Sequence, residues 1–296
     1  MFRFFRKKEV SKAAGTLAVG CGGGGCNIVN RLGRISAVDI ITVNTDRKGL
    51  VRSRSNRRIL IGDGSEAGCD GNAELAESLT REASEIINEN IKRHLNIVLM
   101  VGLGGGTGTG SAKVIAEIAR RNGSRVITMA TLPMAFEASR RDTALNALNG
   151  IKEASDIMVV IDGDRLIRID PDMGTREAFS VLDQMVCESF MGIIEMLESL
   201  GGESLYGMMR GKMFTVSFAE GMNAGKIAKD LVTGTMFDSD IVSGPLIFVR
   251  GNMPQDSEDM IRNAITESIG YEPAFVRGPH GQGMNAVMFV PVSVPF

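Results

Sequence analysis

Tryptophan is missing from this 296-residue chain and tyrosine occurs only twice, so the aromatic platforms on which single-stranded bases stack are scarce. Neither sign of charge dominates. The 33 basic and 35 acidic side chains leave a formal net charge of −2, and no overall basic field draws nucleic acid. No apolar run approaches the roughly 18 residues that a spanning helix needs. Histidine is confined to His94 and His280, both expected at the surface. The four cysteines, Cys21, Cys26, Cys69 and Cys187, form no Cys-x-x-Cys pair and follow no secretory signal. They read as reduced thiols of a cytoplasmic protein. Strand-like sequence runs almost to Phe296, so no C-terminal linker or low-complexity tail is expected.

Glycine, by contrast, is abundant, with 36 residues, and it is concentrated. Six glycines fall between Gly102 and Gly110, in Val101-Gly-Leu-Gly-Gly-Gly-Thr-Gly-Thr-Gly-Ser111. The apolar run Ile97–Val101 leads in and a helical pattern, Ala112–Arg121, leads out. A strand, a glycine loop and a helix together aim backbone N–H groups and a helix N-terminus at phosphate. A structural turn alone needs one or two glycines, so this stretch reads as a phosphate loop.

A second loop of this kind, Gly20–Asn27, follows the apolar strand Gly15–Val19. Ala37–Val43 is the next strand and ends in Asn44-Thr45-Asp46. The short connections imply a parallel βαβ unit with a right-handed crossover. The spacing Gly20-x-Gly22-x-x-Gly25, with Asp46 at a strand end, also satisfies the dinucleotide fingerprint of an NAD-dependent oxidoreductase. That reading leaves the second glycine stretch without a purpose.

Further on, a helix is expected over Ala73–Arg93, with Leu75, Leu79, Ala83, Ile86 and Ile87 on one side. Strands follow at Arg125–Thr131 and Ile157–Ile161, with a helix to about Ala154 between them. The alternation predicts a doubly wound, Rossmann-like α/β domain, with ligands beyond the carboxyl ends of the strands. Apolar residues from Phe179 to Leu200 recur at steps of three and four, which predicts a long central helix over Thr175–Leu200. Past Gly201 the pattern becomes that of a smaller α+β domain. The expected divisions are a basic and aromatic segment at 1–15, a nucleotide-binding domain at 16–174, the central helix at 175–200 and the α+β domain at 201–296. Met1–Lys8 carries three Phe and four basic groups, which fits a short interfacial anchor on an anionic membrane. Alone it would bind weakly and would need many copies on one assembly.

Gly104–Ser111 resembles the signature of the tubulin/FtsZ superfamily. Gly22–Asn27 resembles its first phosphate loop, Asn44-Thr-Asp46 its second strand-end motif, and Gly68–Glu74 its γ-phosphate loop. Phe136-Glu137 with Arg141 resembles the ribose-contacting loop, and Ala178-Phe179 with Asp183 the start of the central helix. Order and spacing agree from about residue 16 to 200. The resemblance implies GTP/GDP as ligand, with Gly23, Gly24, Gly25, Cys26, Asn27, Gly104, Gly105, Gly106, Thr107 and Gly108 around the phosphates. It places Asn44, Asp46, Gly71 and Asn72 near the phosphates, with Asp46 toward Mg2+, and Glu137 and Arg141 on the sugar. Phe179 would stack on guanine, and Asp183 would accept from the two donors that guanine, unlike adenine, presents.

The family's loop after the central helix carries the acids that complete the next subunit's site in a head-to-tail filament. Here that stretch, Leu200–Met209, holds Glu203 as its only acid. Lys113 also stands where such chains usually have Pro. The expectation is therefore a divergent FtsZ-like cytoskeletal GTP-binding protein that self-associates into protofilaments and hydrolyses GTP slowly or not at all. The alternatives are an assembly-dependent GTPase using Glu203 and a GTP-bound regulator of a true FtsZ. The expected location is cytoplasmic, with peripheral membrane contact through residues 1–8 and no nucleic-acid partner.

Overall fold

The computed structural model describes residues 15–32, 38–64, 68–170, 172–235, 239–279 and 283–293. The proposed membrane segment, residues 1–8, lies outside them. The chain divides into two compact units, 1–158 and 159–296.

In the first unit, short apolar runs form a parallel sheet in the order β3-β2-β1-β4-β5. The strands are β1 (Thr16–Cys21), β2 (Asp39–Asn44), β3 (Arg57–Leu60), β4 (Asn96–Gly102) and β5 (Arg125–Leu132). β1 is buried along its length and β4 in all but its last residue. That is why both read as continuous hydrophobic runs rather than alternating ones. The crossovers are α1 (Gly22–Leu32), α2 (Arg47–Arg52), α3 (Ala73–Glu82), α4 (Ser84–Ile91), α5 (Gly106–Arg121) and α6 (Ala138–Ala154). This is the expected doubly wound α/β architecture.

Two local expectations change. The single helix expected over 73–93 breaks at Ala83, whose ψ of 9° leaves the helical range. Its buried positions are Ala76, Thr80, Ile87 and Ile91, while Leu75 and Ile86 are exposed. Both glycine stretches expected as loops are largely first turns of helices: α1 starts at Gly22 and α5 at Gly106. Glycine's low helix propensity is overridden there by tertiary packing.

β6 (Ile157–Asp162) crosses the division between the units. The second unit contains α7 (Gly163–Ile169), the central helix α8 (Thr175–Leu200) and α9 (Gly202–Met209). It continues with β7 (Met213–Gly221), α10 (Ala224–Thr233), β8 (Leu246–Gly251), α11 (Gln255–Ile269), β9 (Ala274–Arg277) and β10 (Met284–Val292). The strands run β7-β10-β8-β9, with β10 antiparallel to β7 and β8, and β8 parallel to β9. α8 keeps its expected limits, between Gly174 and Gly201, the latter at φ 76°. Arg250 of β8 fastens it, reaching Glu195 at 2.6 Å and Glu188 at 2.9 Å. Burial holds the Glu188 carboxyl above its usual range, against the pull of Arg250. Among the described residues no helix is long and apolar enough to cross a membrane.

Candidate functional site

β1, β2 and β4 end side by side, and a cavity of about 300 Å³ opens at their carboxyl ends. Its wall comes from Gly23 and Gly24 of α1, Asn44, Thr45 and Asp46 after β2, the segment Gly68–Gly71, Gly102 with Gly105–Gly108, and Arg140 of α6.

Most glycines around this cavity answer a packing demand. A Cβ on Gly25 would stand 2.2 Å from the Met100 carbonyl oxygen, and one on Gly108 2.6 Å from that of Gly102. One on Gly110 would stand 2.1 Å from the Ala73 carbonyl oxygen. The first turns of α1 and α5 thus press backbone to backbone on β4 and α3. Gly23 differs, with nothing within 4 Å of its Cβ position, and Gly105 meets only the end of Arg140 at 3.9 Å. Both line the cavity, so there a missing side chain keeps the cavity open rather than letting elements pack.

The helix N-termini around the cavity are treated differently. Asp46 caps α2, its Oδ1 accepting from Lys48 N–H at 2.8 Å, and Asn72 caps α3, accepting from Leu75 N–H at 2.9 Å. α5 has no side-chain cap, and its first residues, Gly106, Thr107 and Gly108, line the cavity. The first amides of a helix have no intrahelical acceptor and carry the positive end of its dipole. An uncapped N-terminus at a cavity wall can therefore receive an anion. Thr45 and Thr107 hydroxyls meet at 2.7 Å and join the β2 and β4 sides of the wall. The Asn44 side-chain oxygen accepts from Thr45 N–H at 2.9 Å and holds the β2 end in shape.

Other expected residues take places beside the wall. Gly25 and Cys26 are buried behind it, and Asn27 is exposed on α1. Burial, then the Asp46 carboxylate, pushes the Cys26 thiol up to about 12; burial and Cys26 push Cys21 higher still. All four cysteines are buried and none is in a disulfide. Gly104, at φ 83°, is buried against Arg140 and Pro133. Glu137 precedes α6 and pairs with Arg140. Arg141 donates to the Pro133 carbonyl at 2.7 Å, while Arg140 lines the cavity and donates to the Gly104 carbonyl at 3.4 Å. Sequence reasoning missed Thr45, Gly68, Cys69, Asp70, Gly102 and Arg140 as lining residues. The Gly68–Glu74 motif was the available signal for three of them.

Phe179, Asp183 and Glu203 belong to the second unit. Phe179 is 45% exposed on the second turn of α8, and Asp183, one turn on, is half-buried. Glu203 is exposed in the first turn of α9. The stretch Gly202–Met209, expected as a loop, is helical because Leu205, Tyr206 and Met209 bury one side of it.

The chain can now be set beside known proteins. Residues 16–171 match the model of the Tubulin/FtsZ family, GTPase domain. Cell division protein FtsZ 1 of Methanocaldococcus jannaschii is 32% identical over 255 residues, covering 80% of this chain and 69% of that protein. Cell division protein FtsZ 1 of Pyrococcus horikoshii is 38% identical over 62% of this chain and 50% of its own length. Among solved structures, an empty FtsZ dimer from M. jannaschii superposes with a TM-score of 0.79 at 27% identity, covering 94% of this chain and 88% of that one. A GTPγS-bound protofilament of CetZ2 from Haloferax volcanii gives 0.81 at 19% identity, over 95% and 93% of the chains, a likeness of fold.

Proposed function

The chain belongs to the tubulin/FtsZ family, and on that premise we propose that it binds GTP in the cavity, assembles head to tail, and hydrolyses the nucleotide slowly or not at all. The observation that carries the reading is the uncapped N-terminus of α5 at a wall kept open by Gly23 and Gly105. In this reading Gly23–Asn27 and Gly104–Gly108 surround the phosphates, with Asn44, Asp46, Gly71 and Asn72 beside them. Glu137 and Arg141 hold the sugar, Phe179 stacks on the base, and Asp183 accepts from guanine. The working parts are the nucleotide-binding segment 16–174, the helix 175–200 and the remainder to 296.

Mg2+ fits this site as a companion of the phosphates. Among the described residues no group of three or more His, Cys, Asp or Glu could cage a metal alone. Mg2+ is commonly held by one or two carboxylates plus phosphate oxygens, and Asp46 and Asp70 line the cavity. When bound, the ion would neutralise phosphate charge.

Slow hydrolysis follows from what the stretch after α8 lacks. Phosphoryl transfer depends on positioning and charge, and removing one positioning group costs on the order of ~3 kcal/mol. Glu203 is the only acid between Leu200 and Met209. Its exposed place on α9 keeps a second reading in view, in which it completes a neighbouring copy's site.

The direct test is the nucleotide released when the purified protein is denatured. Guanosine nucleotides are expected, with a clear preference for GTP over ATP on re-addition. Release of a nicotinamide cofactor, or equal affinity for ATP, would overturn the proposal.

A further inference from the structure

Charge is unevenly placed on the first unit. Strands β1–β5 all start at one end of the parallel sheet, and the cavity lies at the other. The helices that return the chain finish at the amino end, with Arg31 in the last turn of α1, Arg52 closing α2 and Arg121 closing α5. Arg54 and Arg57 lead into β3, and Arg93 follows α4. The exposed acids there are Asp39, Glu89 and Glu153, and Lys92 takes Glu89 at 2.6 Å.

A cation in the last turn complements the helix dipole, which accounts for Arg31, Arg52 and Arg121. It does not account for Arg54 and Arg57, nor for residues 47–58 holding six basic side chains and no acid. Arg52, Arg54, Arg93 and Arg121 are exposed, and no hydrogen bond or ion pair engages their side chains among the described residues. Two large apolar side chains stand among them in water: Val51 is 72% exposed and Leu95 64%.

From β3 to β5 is four strand spacings, about 19 Å. That exceeds the Debye length of about 8 Å at physiological ionic strength, so these cations address a broad charged surface rather than one small anion. Exposed aliphatic groups ringed by cations suit the boundary between anionic head groups and acyl chains. They suit nucleic acid poorly, and the two tyrosines, Tyr206 and Tyr271, lie in the other unit.

We propose that this amino-end face docks on an anionic phospholipid bilayer, as the second of two membrane signals. The first is the segment 1–8. Lys8 is seven residues before Gly15, so the chain holds it within about 25 Å of the start of β1. One weak interfacial element binds reversibly, and stable anchoring takes two. The proposal stands apart from the GTP reading, whose cavity is at the other end of the strands.

The test is co-sedimentation of the full chain with phosphatidylcholine vesicles, with and without phosphatidylglycerol. Binding is expected only with phosphatidylglycerol, and it should fall as salt rises. Arg52→Gln/Arg54→Gln and Arg93→Gln/Arg121→Gln should each lower the partition coefficient about tenfold or more, and Lys226→Gln/Lys229→Gln on α10 should leave it within about twofold. All three should melt with the parent, since the replaced side chains are exposed. The chain has no Trp, so Val51→Trp supplies a single reporter. Its emission should shift to the blue on phosphatidylglycerol vesicles and be quenched by brominated lipid. The proposal is overturned if vesicles carry down a chain whose Trp stays unquenched, or if both arginine pairs are dispensable. It also fails if the parent binds neutral vesicles equally well or binds none. Tighter binding to duplex DNA or RNA than to vesicles at equal phosphate concentration would make the face a nucleic-acid surface instead.

Discussion

Two adjacent arginines have different work. Arg141 is turned to the Pro133 carbonyl, whereas Arg140 lines the cavity and is oriented by Glu137 and the Gly104 carbonyl. A guanidinium already oriented loses little freedom when it meets phosphate. Hydrogen bonds to charged groups contribute about 1.5–3 kcal/mol, so Arg140→Ala should weaken GTP binding by about ten- to a hundredfold in equilibrium titration, with little change in melting temperature. Unchanged affinity would remove Arg140 from the site. Burial raises the pKa of the nearby Cys21 and Cys26 thiols, which disfavours the thiolate that nucleophilic or metal-binding chemistry needs.

The first turns of α1 and α5 separate two uses of glycine that look alike in one dimension. At Gly110 a methyl group would meet backbone atoms of α3, with 2.1 Å to the Ala73 oxygen and 2.7 Å to the Glu77 nitrogen. Backbone cannot rotate away, so α3 and α5 must part. Overpacking of this sort costs about 1–3 kcal/mol and occasionally more, and Gly110→Ala should fall at the top of that range in urea denaturation. Gly23→Ala meets nothing within 4 Å and should leave stability within about 0.5 kcal/mol. Its methyl would enter the cavity proposed for GTP and should weaken GTP binding at least tenfold. If the two variants changed places, with Gly23→Ala unstable and Gly110→Ala weak only in binding, the assignment of packing and ligand roles would be reversed.

For the whole molecule, family membership and the dimer form of a solved FtsZ relative support the proposed self-association. A head-to-tail contact that does not close builds an open filament. Negative-stain microscopy with GTP should show filaments, and the proposed slow hydrolysis predicts that they persist long after a limiting dose of nucleotide. Single particles at every concentration would favour a regulator that does not polymerise. The three Phe and four basic groups of residues 1–8 are the ground for a proposed membrane contact, one that assembly into a filament would strengthen. Deleting residues 2–8 should abolish liposome co-sedimentation of filaments without preventing their formation.

The order of strands and helices was legible in the chain because periodicity and turn residues are local. The apolar runs of β1 and β4 marked buried strands, and the stripe from Phe179 to Leu200 set the limits of α8. Both glycine-rich stretches pointed to the strand ends, where the cavity lies. What the chain could not announce were contacts between residues far apart along it. Whether a glycine serves packing or ligand depends on what lies beyond its missing Cβ: Ala73 for Gly110, open cavity for Gly23. The cap that occupies Asp46, the selection of Arg140 over Arg141 for the wall, and the exposed carboxylate of Asp70 likewise follow from where elements meet. Short helices such as α2, α7 and α9 form because one side is buried by tertiary neighbours, and few residues carry too weak a local preference to form them alone. Composition and periodicity thus determined the architecture and the class of ligand proposed, while the close approach of distant backbones decided which side chains line the cavity.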